Sequence, residues 1–375
     1  MTATIRRAVG NLLVVGLGGT ELTGLERAWL RLVRPGGVIL FKRNIADAAV
    51  TRALLDEATG LGAPFGARCV DVEGGTVNRL RDALGNLPSA QAVGRTSRMK
   101  QKPAPAREFG ELIALAVRAF GFNTTLAPVL DLALAEAAEV LGTRTAGENA
   151  AEVVAFAREF LDGLAAHGIA GCGKHFPGLG GASGDSHLVT PDIGRTWSQM
   201  WNEDMAPYRE LNAAMPMVMV NHAAYPRTRG GSKPASASAF WITTVLRKRI
   251  GYRGIILSDD LEMGGILKFM PIEEAAIEAV RAGSDLIEIC HSPELILRSY
   301  EALIAEAERS AAFRNLLLGR ARDVQRKRSG LFAGGVSRAL TLKQTEALRR
   351  RIERFGDLIA ADDASSRTTT PVERT

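Results

Sequence analysis

The chain has 375 residues, of which 46% are apolar, and its formal net charge is only +6. This length allows one large α/β domain or two ordinary ones, and the apolar share is enough for a buried core. Three widely spaced cysteines exclude a disulfide framework and a zinc–cysteine cluster, which favours a reduced compartment. No apolar run reaches the roughly 20 residues of a membrane helix, and the basic runs lack interleaved aromatic residues. We therefore expect a cytoplasmic protein with no membrane and no nucleic-acid partner.

Eight short apolar runs recur along the chain, and each is followed by a turn and a helical pattern. In order, the runs are NLLVVG (11–16), GGVILF (36–41), GARCVDV (66–72), FNTTLAPVLDL (122–132), GIAGCGKHF (168–176), PMVMVNHAA (216–224), GIILSDDL (254–261) and SDLIEIC (284–290). Continuous apolar strands such as VILF and MVMV are typical of a parallel sheet that is covered on both faces. Eight such units predict a closed (β/α)8 TIM barrel, an α/β fold, with an open doubly wound sheet as the alternative.

The barrel is expected to form one catalytic domain over residues 1–334. Residues 335–375 lie outside it, where ALTLKQTEALRRRIERFGDLIAADD predicts an amphipathic helix and ASSRTTTPVERT predicts a disordered tail. The helix could pack on the barrel or on a second copy of the chain, so a monomer or a weak homo-oligomer is expected.

Polar side chains gather where four of the eight runs stop. They are Asp71 at the end of the third run, Lys174 and His175 at the end of the fifth, Asn221 and His222 in the sixth, and Ser258, Asp259 and Asp260 at the end of the seventh. One charged strand end is routine, but in a TIM barrel the C-terminal ends of all strands meet on one face, where active sites lie. Four polar ends together therefore predict the mouth of an active site.

Two of the five histidines lie in the segment GKHFPGLGGASGDSHLVTP (173–191). Gly and Pro interrupt this segment too often for a regular helix or strand, which predicts a loop. The side chains of Asp185 and His187 in this loop are therefore not needed to fill a core, and a chemical role is the better interpretation.

Several motifs resemble the β-N-acetylhexosaminidases of glycoside hydrolase family 3, the bacterial cell-wall-recycling type. They are GGVILFKRN (36–44), DVEGGTVNRLR (71–81), APVLDLA (127–133), LGTRT (141–145), KHFPGLGGASGDSH (174–187) and PASASAFWITTVLRKRIGYRGIILSDDLEM (234–263). The resemblance covers roughly residues 10–310 in order, and the K-H-F-P-G…D-S-H and S-D-D-L-x-M elements are its most specific parts.

The resemblance implies a retaining hydrolase that removes terminal non-reducing β-N-acetylglucosamine through a covalent glycosyl–aspartate intermediate, in peptidoglycan recycling. It implies that Asp259 is the nucleophile, that His187 is the general acid and then the general base, and that Asp185 orients His187. The implied sugar-binding residues are Asp71, Arg79, Arg144, Lys174 and His175. The substrate would be a muropeptide or another glycoside containing N-acetylglucosamine, with no cofactor and no metal.

A histidine in this role departs from the usual pair of glycosidase carboxylates. Because its pKa lies near neutrality, an imidazole serves as acid and then as base without the burial that a carboxyl group would need. A neutral imidazole also does not repel an anionic acceptor, so a variant that transfers the sugar to phosphate is conceivable.

Other interpretations of the same residues remain open. Asp259 and Asp260 could cap the following helix, Lys174 could pair with a carboxylate for structure alone, and the barrel could bind sugars with little or no turnover. A metal site built from His175, His187, His222 and Asp259 is a further alternative, although no H-x-H or H-E-x-x-H motif supports it.

The chain also departs from the family pattern at several positions. Leu179 replaces a histidine, Gly181 an aspartate, Val72 a glutamine and Thr76 an arginine, and Thr145-Ala146 replaces Ser-Phe. The nucleophile and the His/Asp pair are kept, so these departures imply a changed loop and substrate preference, for example that of a related family 3 β-glycosidase.

Overall fold

The computed structural model describes residues 2–102, 104–182, 191–334 and 339–368, with side chains up to Asp363. Eight parallel strands close into a barrel in which each strand lies next to its neighbours in sequence and the first pairs with the last. The strands are β1 (Leu13–Gly16), β2 (Gly37–Leu40), β3 (Ala67–Val70), β4 (Thr124–Thr125), β5 (Ala170–Phe176), β6 (Met217–Val220), β7 (Ile255–Asp260) and β8 (Leu286–Ile289). The predicted TIM barrel is confirmed.

Helices surround the barrel. They are α1 (Thr2–Gly10), α2 (Gly24–Val33), α3 (Ala48–Leu61), α4 (Arg81–Leu84), α5 (Ala90–Met99), α6 (Ala104–Ala119), α7 (Ala138–Leu141), α8 (Ala150–Ala165), α9 (Trp197–Gln199), α10 (Ala206–Glu210), α11 (Gly264–Leu267), α12 (Ile272–Ala282), α13 (Pro293–Arg309), α14 (Ala311–Phe332) and α15 (Leu342–Thr368). Turns of π-helix span Met200–Asp204 and Phe240–Arg249, and short 3-10 turns span Lys42–Asn44, Ala135–Ala137, Gly142–Arg144 and Ala235–Ala237. Within the described residues, no helix is long and apolar enough to cross a membrane.

Three elements differ from the sequence prediction. The fourth run forms only two residues of regular strand, because Pro128 has no backbone N–H to continue the ladder. Helix α1 precedes the first strand, and Ile5 and Val9 on one face of it are buried. Helix α15 continues to Thr368, so the first five residues of the predicted tail extend the helix; residues 369–375 lie outside the described part of the chain.

Helix α15 packs against the barrel's own helices α5 and α6. The rings of Phe355 and Phe109 are stacked with centroids 6.0 Å apart, and Arg95 pairs with Asp363 at 2.5 Å. The C-terminal extension therefore covers one side of the barrel of the same chain.

A two-stranded hairpin, Val72–Gly74 with Val77–Asn78, follows directly on β3. Gly74 and Gly75 have φ of 88° and 55°, and a Cβ on Gly74 would lie only 2.3 Å from the Pro88 carbonyl oxygen. Only glycine fits this turn. The hairpin holds the side chain that precedes the two glycines, Glu73, against the open end of the barrel.

Candidate active site

A cavity of about 1030 Å³ opens at the C-terminal ends of the barrel strands. Its polar lining includes Asp71, Glu73, Arg79, Arg144, Lys174, His175, Asp259, Asp260, Glu262, Glu288 and His291. All five predicted sugar-binding residues and the predicted nucleophile thus line one cavity. The predicted acid/base pair, Asp185 and His187, lies outside the described residues.

Four alternating charges form one side of the cavity. The Lys174 Nζ atom on β5 lies 2.8 Å from Asp71 Oδ1 and 2.6 Å from Glu73 Oε1. Glu73 also accepts two hydrogen bonds from Arg144, from Nε at 2.8 Å and from Nη2 at 2.9 Å. Burial alone would raise the pKa of Glu73, but Lys174 and Arg144 lower it to about 2. Burial likewise works against the charge on Lys174, yet Asp71 and Glu73 raise its pKa above the ordinary value. The network therefore stays charged and fixes its members in place.

His175 follows Lys174 and is held by the buried carboxylate of Asp131. The His175 Nδ1 atom lies 2.7 Å from Asp131 Oδ2, so it carries a hydrogen toward this carboxylate. The other oxygen, Oδ1, accepts from the backbone N–H of Leu179 at 2.7 Å. The ring is thereby oriented with Nε2 toward Arg144 Nη2, at 3.4 Å.

Asp259 is next to last in β7 and sits where the strand reaches the cavity. The backbone N–H of Asp260 donates to Asp259 Oδ1 at 2.9 Å, which restricts the carboxylate. Burial alone would raise the pKa of Asp259, but His175, His222, the Asp260 N–H and Lys174 together hold it below its ordinary value. Asp259 is therefore ionised at neutral pH, which the predicted role as nucleophile requires.

His222, at the end of β6, fixes the backbone next to Asp259. Its Nε2 atom donates to the Asp260 carbonyl oxygen at 2.9 Å, since a carbonyl can only accept. Its Nδ1 atom must then accept from the Ser236 hydroxyl, at 2.7 Å. Burial is the main reason that the pKa of His222 is lowered, so the ring stays neutral. The interaction holds the end of β7 in place.

Arg79 is the least restrained of the predicted sugar-binding residues. Its Nη2 atom is 4.0 Å from Asp71 Oδ2, and its guanidinium group lies 5.9 Å from the centroid of the Phe41 ring at the cavity rim. About a third of its side chain is exposed. Arg79 is thus available to a ligand without breaking a short ion pair.

Three groups at the rim offer ligand atoms close enough for one metal ion. Asp260, Glu262 and His291 have such atoms within 4.8 Å of one another. This trio contains none of the four residues of the metal site considered from the sequence. His291 is half exposed, and its ring lies against that of Phe41 in a tilted arrangement with centroids 5.1 Å apart.

Comparison of the chain with known proteins shows the family to which it belongs. The Glycosyl hydrolase family 3 N terminal domain matches residues 4–317. A Beta-hexosaminidase from Idiomarina loihiensis is 32% identical over 302 residues, which are 80% of this chain and 90% of that protein. A Beta-hexosaminidase from Neisseria meningitidis is 37% identical over 272 residues, 71% of this chain and 74% of the relative. The chain belongs to glycoside hydrolase family 3.

Solved structures of the family share the fold. A family 3 β-N-acetylglucosaminidase from Paenibacillus sp. has a TM-score of 0.83 at 30% identity, with 94% of this chain and 68% of that chain covered. The native protein NagZ from Neisseria gonorrhoeae has a TM-score of 0.74 at 30% identity, with 94% and 97% covered.

In this family 3 glycoside hydrolase, sequence reasoning missed four polar residues of the site. Glu73 and Asp131 lie within the motifs DVEGGTVNRLR and APVLDLA, but the resemblance assigned neither of them a role. Ser236 lies in the 3-10 turn Ala235–Ala237, within the stretch PASASAF of the resemblance, which assigned it no role. Glu288 interrupts the apolar run SDLIEIC (284–290). A charged residue between two isoleucines of a strand could have predicted that it belongs to the site.

Proposed function

We propose that this glycoside hydrolase is a retaining β-N-acetylhexosaminidase that removes terminal non-reducing β-N-acetylglucosamine, with Asp259 as the nucleophile. The observation that carries the proposal is the ionised Asp259 carboxylate at the end of β7, inside the cavity that also holds the predicted sugar-binding residues. The relatives named Beta-hexosaminidase support the choice of sugar.

The first step forms a bond between Asp259 and the anomeric carbon of the sugar. The carboxylate attacks this carbon while the bond to the aglycone oxygen breaks. His187, in its protonated form, gives its proton to that oxygen, and Asp185 stabilises the imidazolium before the transfer. The aglycone leaves as a neutral alcohol, and the sugar remains on Asp259 as an ester.

The second step releases the sugar with the configuration it had in the substrate. His187, now neutral, takes a proton from water as the water oxygen attacks the anomeric carbon. The bond to Asp259 breaks, and the carboxylate returns to its ionised state. General acid–base assistance of this kind contributes on the order of 10²- to 10⁴-fold to the rate.

The charged network beside Asp259 supports the binding of a polar ring. The side chains of Asp71, Lys174 and Arg144 are held by one another, so they lose little freedom when they bind hydroxyl groups. His175 presents Nε2 on the same side, and Arg79 adds a donor at the rim. Together they would orient the sugar with its anomeric carbon toward Asp259.

The biological role that we propose is recycling of peptidoglycan fragments in the cytoplasm. It rests on the resemblance to cell-wall-recycling enzymes and on the reduced compartment that three unpaired, buried cysteines favour. The substrate would then be a muropeptide whose terminal sugar is β-N-acetylglucosamine.

A direct assay tests this function. The purified chain should release nitrophenol from 4-nitrophenyl N-acetyl-β-glucosaminide, and Asp259→Asn should abolish release while the circular dichroism spectrum stays unchanged. Addition of a chelator should leave the rate unchanged, and addition of phosphate should give no sugar phosphate. Loss of activity with chelator would favour a metal-dependent hydrolase, and binding of N-acetylglucosamine without turnover would favour a sugar-binding barrel.

A further inference from the structure

Glu288 is a buried acid inside the barrel that the proposed mechanism does not use. It lies in the middle of β8, where it pairs in register with Val14 on β1 and with Asp260 on β7. Only 2% of the surface of Glu288 is exposed to solvent, yet it is one of the residues that line the catalytic cavity. Its carboxyl group therefore lies between the barrel core and the floor of the cavity.

Glu288 differs from two other buried acids, Glu306 and Asp285, in having no cation bound to it within the described residues. Glu306 pairs with Arg281 and Arg309, and Asp285 pairs with Arg247 and Lys327. In the described parts of the chain, Glu288 forms no ion pair, and its buried Oε1 atom has no hydrogen-bond partner. An isolated carboxylate in such a place is strongly disfavoured, whereas a neutral carboxyl group is tolerated.

The surroundings of Glu288 also disfavour a negative charge. Burial is the largest cause that raises its pKa well above the ordinary value, and the charges of Asp71, Asp259 and Asp260 add to it. Lys174 acts in the opposite direction. The thiols of Cys69, Cys172 and Cys290 are close enough for their own pKa values to be raised in part by Glu288. These titratable groups lie on or directly after β3, β5, β7 and β8, so their charges act on Glu288 from four strands of the barrel.

We propose that Glu288 is a positioning residue that acts only in its uncharged form, because its ionisation would repel Asp259 and compete with Asp71 and Glu73 for Lys174. Lys174 binds both Asp71 and Glu73, and a third carboxylate near its ammonium group would weaken these two contacts. A fourth negative charge beside Asp71, Asp259 and Asp260 would also push the nucleophile from its place. The kinetic test of this inference rests on the proposed function, because it needs turnover of a glycoside. The test by thermal unfolding does not depend on that function.

The kinetic test compares the wild type with Glu288→Gln, which keeps the shape and is always neutral. The substrate is 2,4-dinitrophenyl N-acetyl-β-glucosaminide. Its leaving group departs without a proton, so loss of the His187 proton should not lower kcat/KM at alkaline pH. At about pH 7 the two proteins should differ by less than about threefold. As the pH rises to about 10, wild-type kcat/KM should fall, by up to about tenfold for each pH unit, while Glu288→Gln stays level. An equal alkaline loss in both proteins, or none in the wild type, would overturn the proposal.

A second measurement uses thermal unfolding and does not depend on activity. In the unfolded chain Glu288 ionises near its ordinary pKa, whereas in the folded chain it keeps its proton to a higher pH. The contribution of Glu288 to the stability of the wild type is therefore fully present at low pH. It is lost as the pH rises toward the pKa that Glu288 has in the folded chain. The unfolding temperature of Glu288→Gln should exceed that of the wild type by an amount that grows from about pH 5 to about pH 8. A constant difference would show that Glu288 is already ionised in the folded protein, and would contradict the proposal.

A matched control is Glu306→Gln, which removes a buried acid of α13 that is paired with arginines. This variant should keep the alkaline loss of wild-type kcat/KM. If neither the wild type nor Glu288→Gln turns over substrate but the unfolding temperatures diverge with pH as expected, the proposed function fails and the uncharged state of Glu288 stands.

Discussion

Lys174 and Glu73 form an ion pair inside the protein, with Nζ 2.6 Å from Oε1 and side chains that are only 4% and 2% exposed. Removing two charges from water is costly, and the cost is offset here because each group has more than one partner: Asp71 also binds Lys174, and Arg144 also binds Glu73. The pair joins β5 to the hairpin after β3. It therefore links the fold of the barrel to the shape of the sugar-binding side of the cavity.

Lys174→Met should destabilise the protein strongly. The substitution keeps a long apolar stem but leaves Glu73 with Arg144 alone and Asp71 with only the distant Arg79, so we expect a loss of about 3–5 kcal/mol in the free energy of unfolding. Urea denaturation measures this loss. The control is Glu57→Gln, which breaks the exposed pair with Arg27 and should change stability very little. Similar effects of the two substitutions would contradict the role assigned to Lys174.

The contribution of Glu73 should depend on pH in a defined direction. Its pKa of about 2 in the folded chain is below the ordinary value of 4.5, so its stabilising effect is present above about pH 4.5 and is lost as the pH falls toward 2. At neutral pH the wild type should be more stable than Glu73→Gln by roughly 3 kcal/mol. Denaturation from about pH 6 to about pH 3 should show this advantage shrinking; an advantage that grows with acidity would refute the assignment.

The fold and the location of the site were readable from the sequence, because apolar runs and the polar residues that end them obey local rules. The pairing inside the site was not. Arg144 reaches Glu73 across 71 positions of sequence, and Asp131 reaches His175 across 44. Which acid holds which base depends on how β3, β4 and β5 lie side by side. Glu288 was missed because a single acid in an apolar strand does not change its predicted secondary structure.

Replacement of His222 should lower kcat more than it changes KM. His222→Ala removes the hydrogen bond to the Asp260 carbonyl, so the end of β7 that carries Asp259 is less firmly held. We expect a drop of about tenfold in kcat, the usual effect of one lost hydrogen bond. Ser236→Ala, which leaves His222 in place but removes the donor to Nδ1, should have a smaller effect in the same direction. His167→Ala, in the turn before β5, is the control and should behave like the wild type. A rise in KM at constant kcat would instead indicate that His222 binds the sugar.

Arg79 should contribute to binding rather than to the chemical step. Because it lies at the rim and forms no short ion pair with Asp71, Arg79→Ala should raise KM by about tenfold with little change in kcat. Steady-state kinetics on the nitrophenyl glycoside measure both constants. Arg31→Ala, on the exposed face of α2, is the matched control. A fall in kcat at constant KM would show that Arg79 acts on the transition state instead.

The covalent role of Asp259 is the central claim, and trapping the intermediate tests it most directly. The wild type is incubated with a fluorinated N-acetylglucosaminyl fluoride, which forms the glycosyl ester faster than water can break it. Intact-protein mass spectrometry should show the addition of one sugar, and peptide mapping should place it on Asp259, with no addition to Asp259→Asn. A sugar attached to another residue, or turnover that gives the inverted anomer with no adduct, would contradict the account.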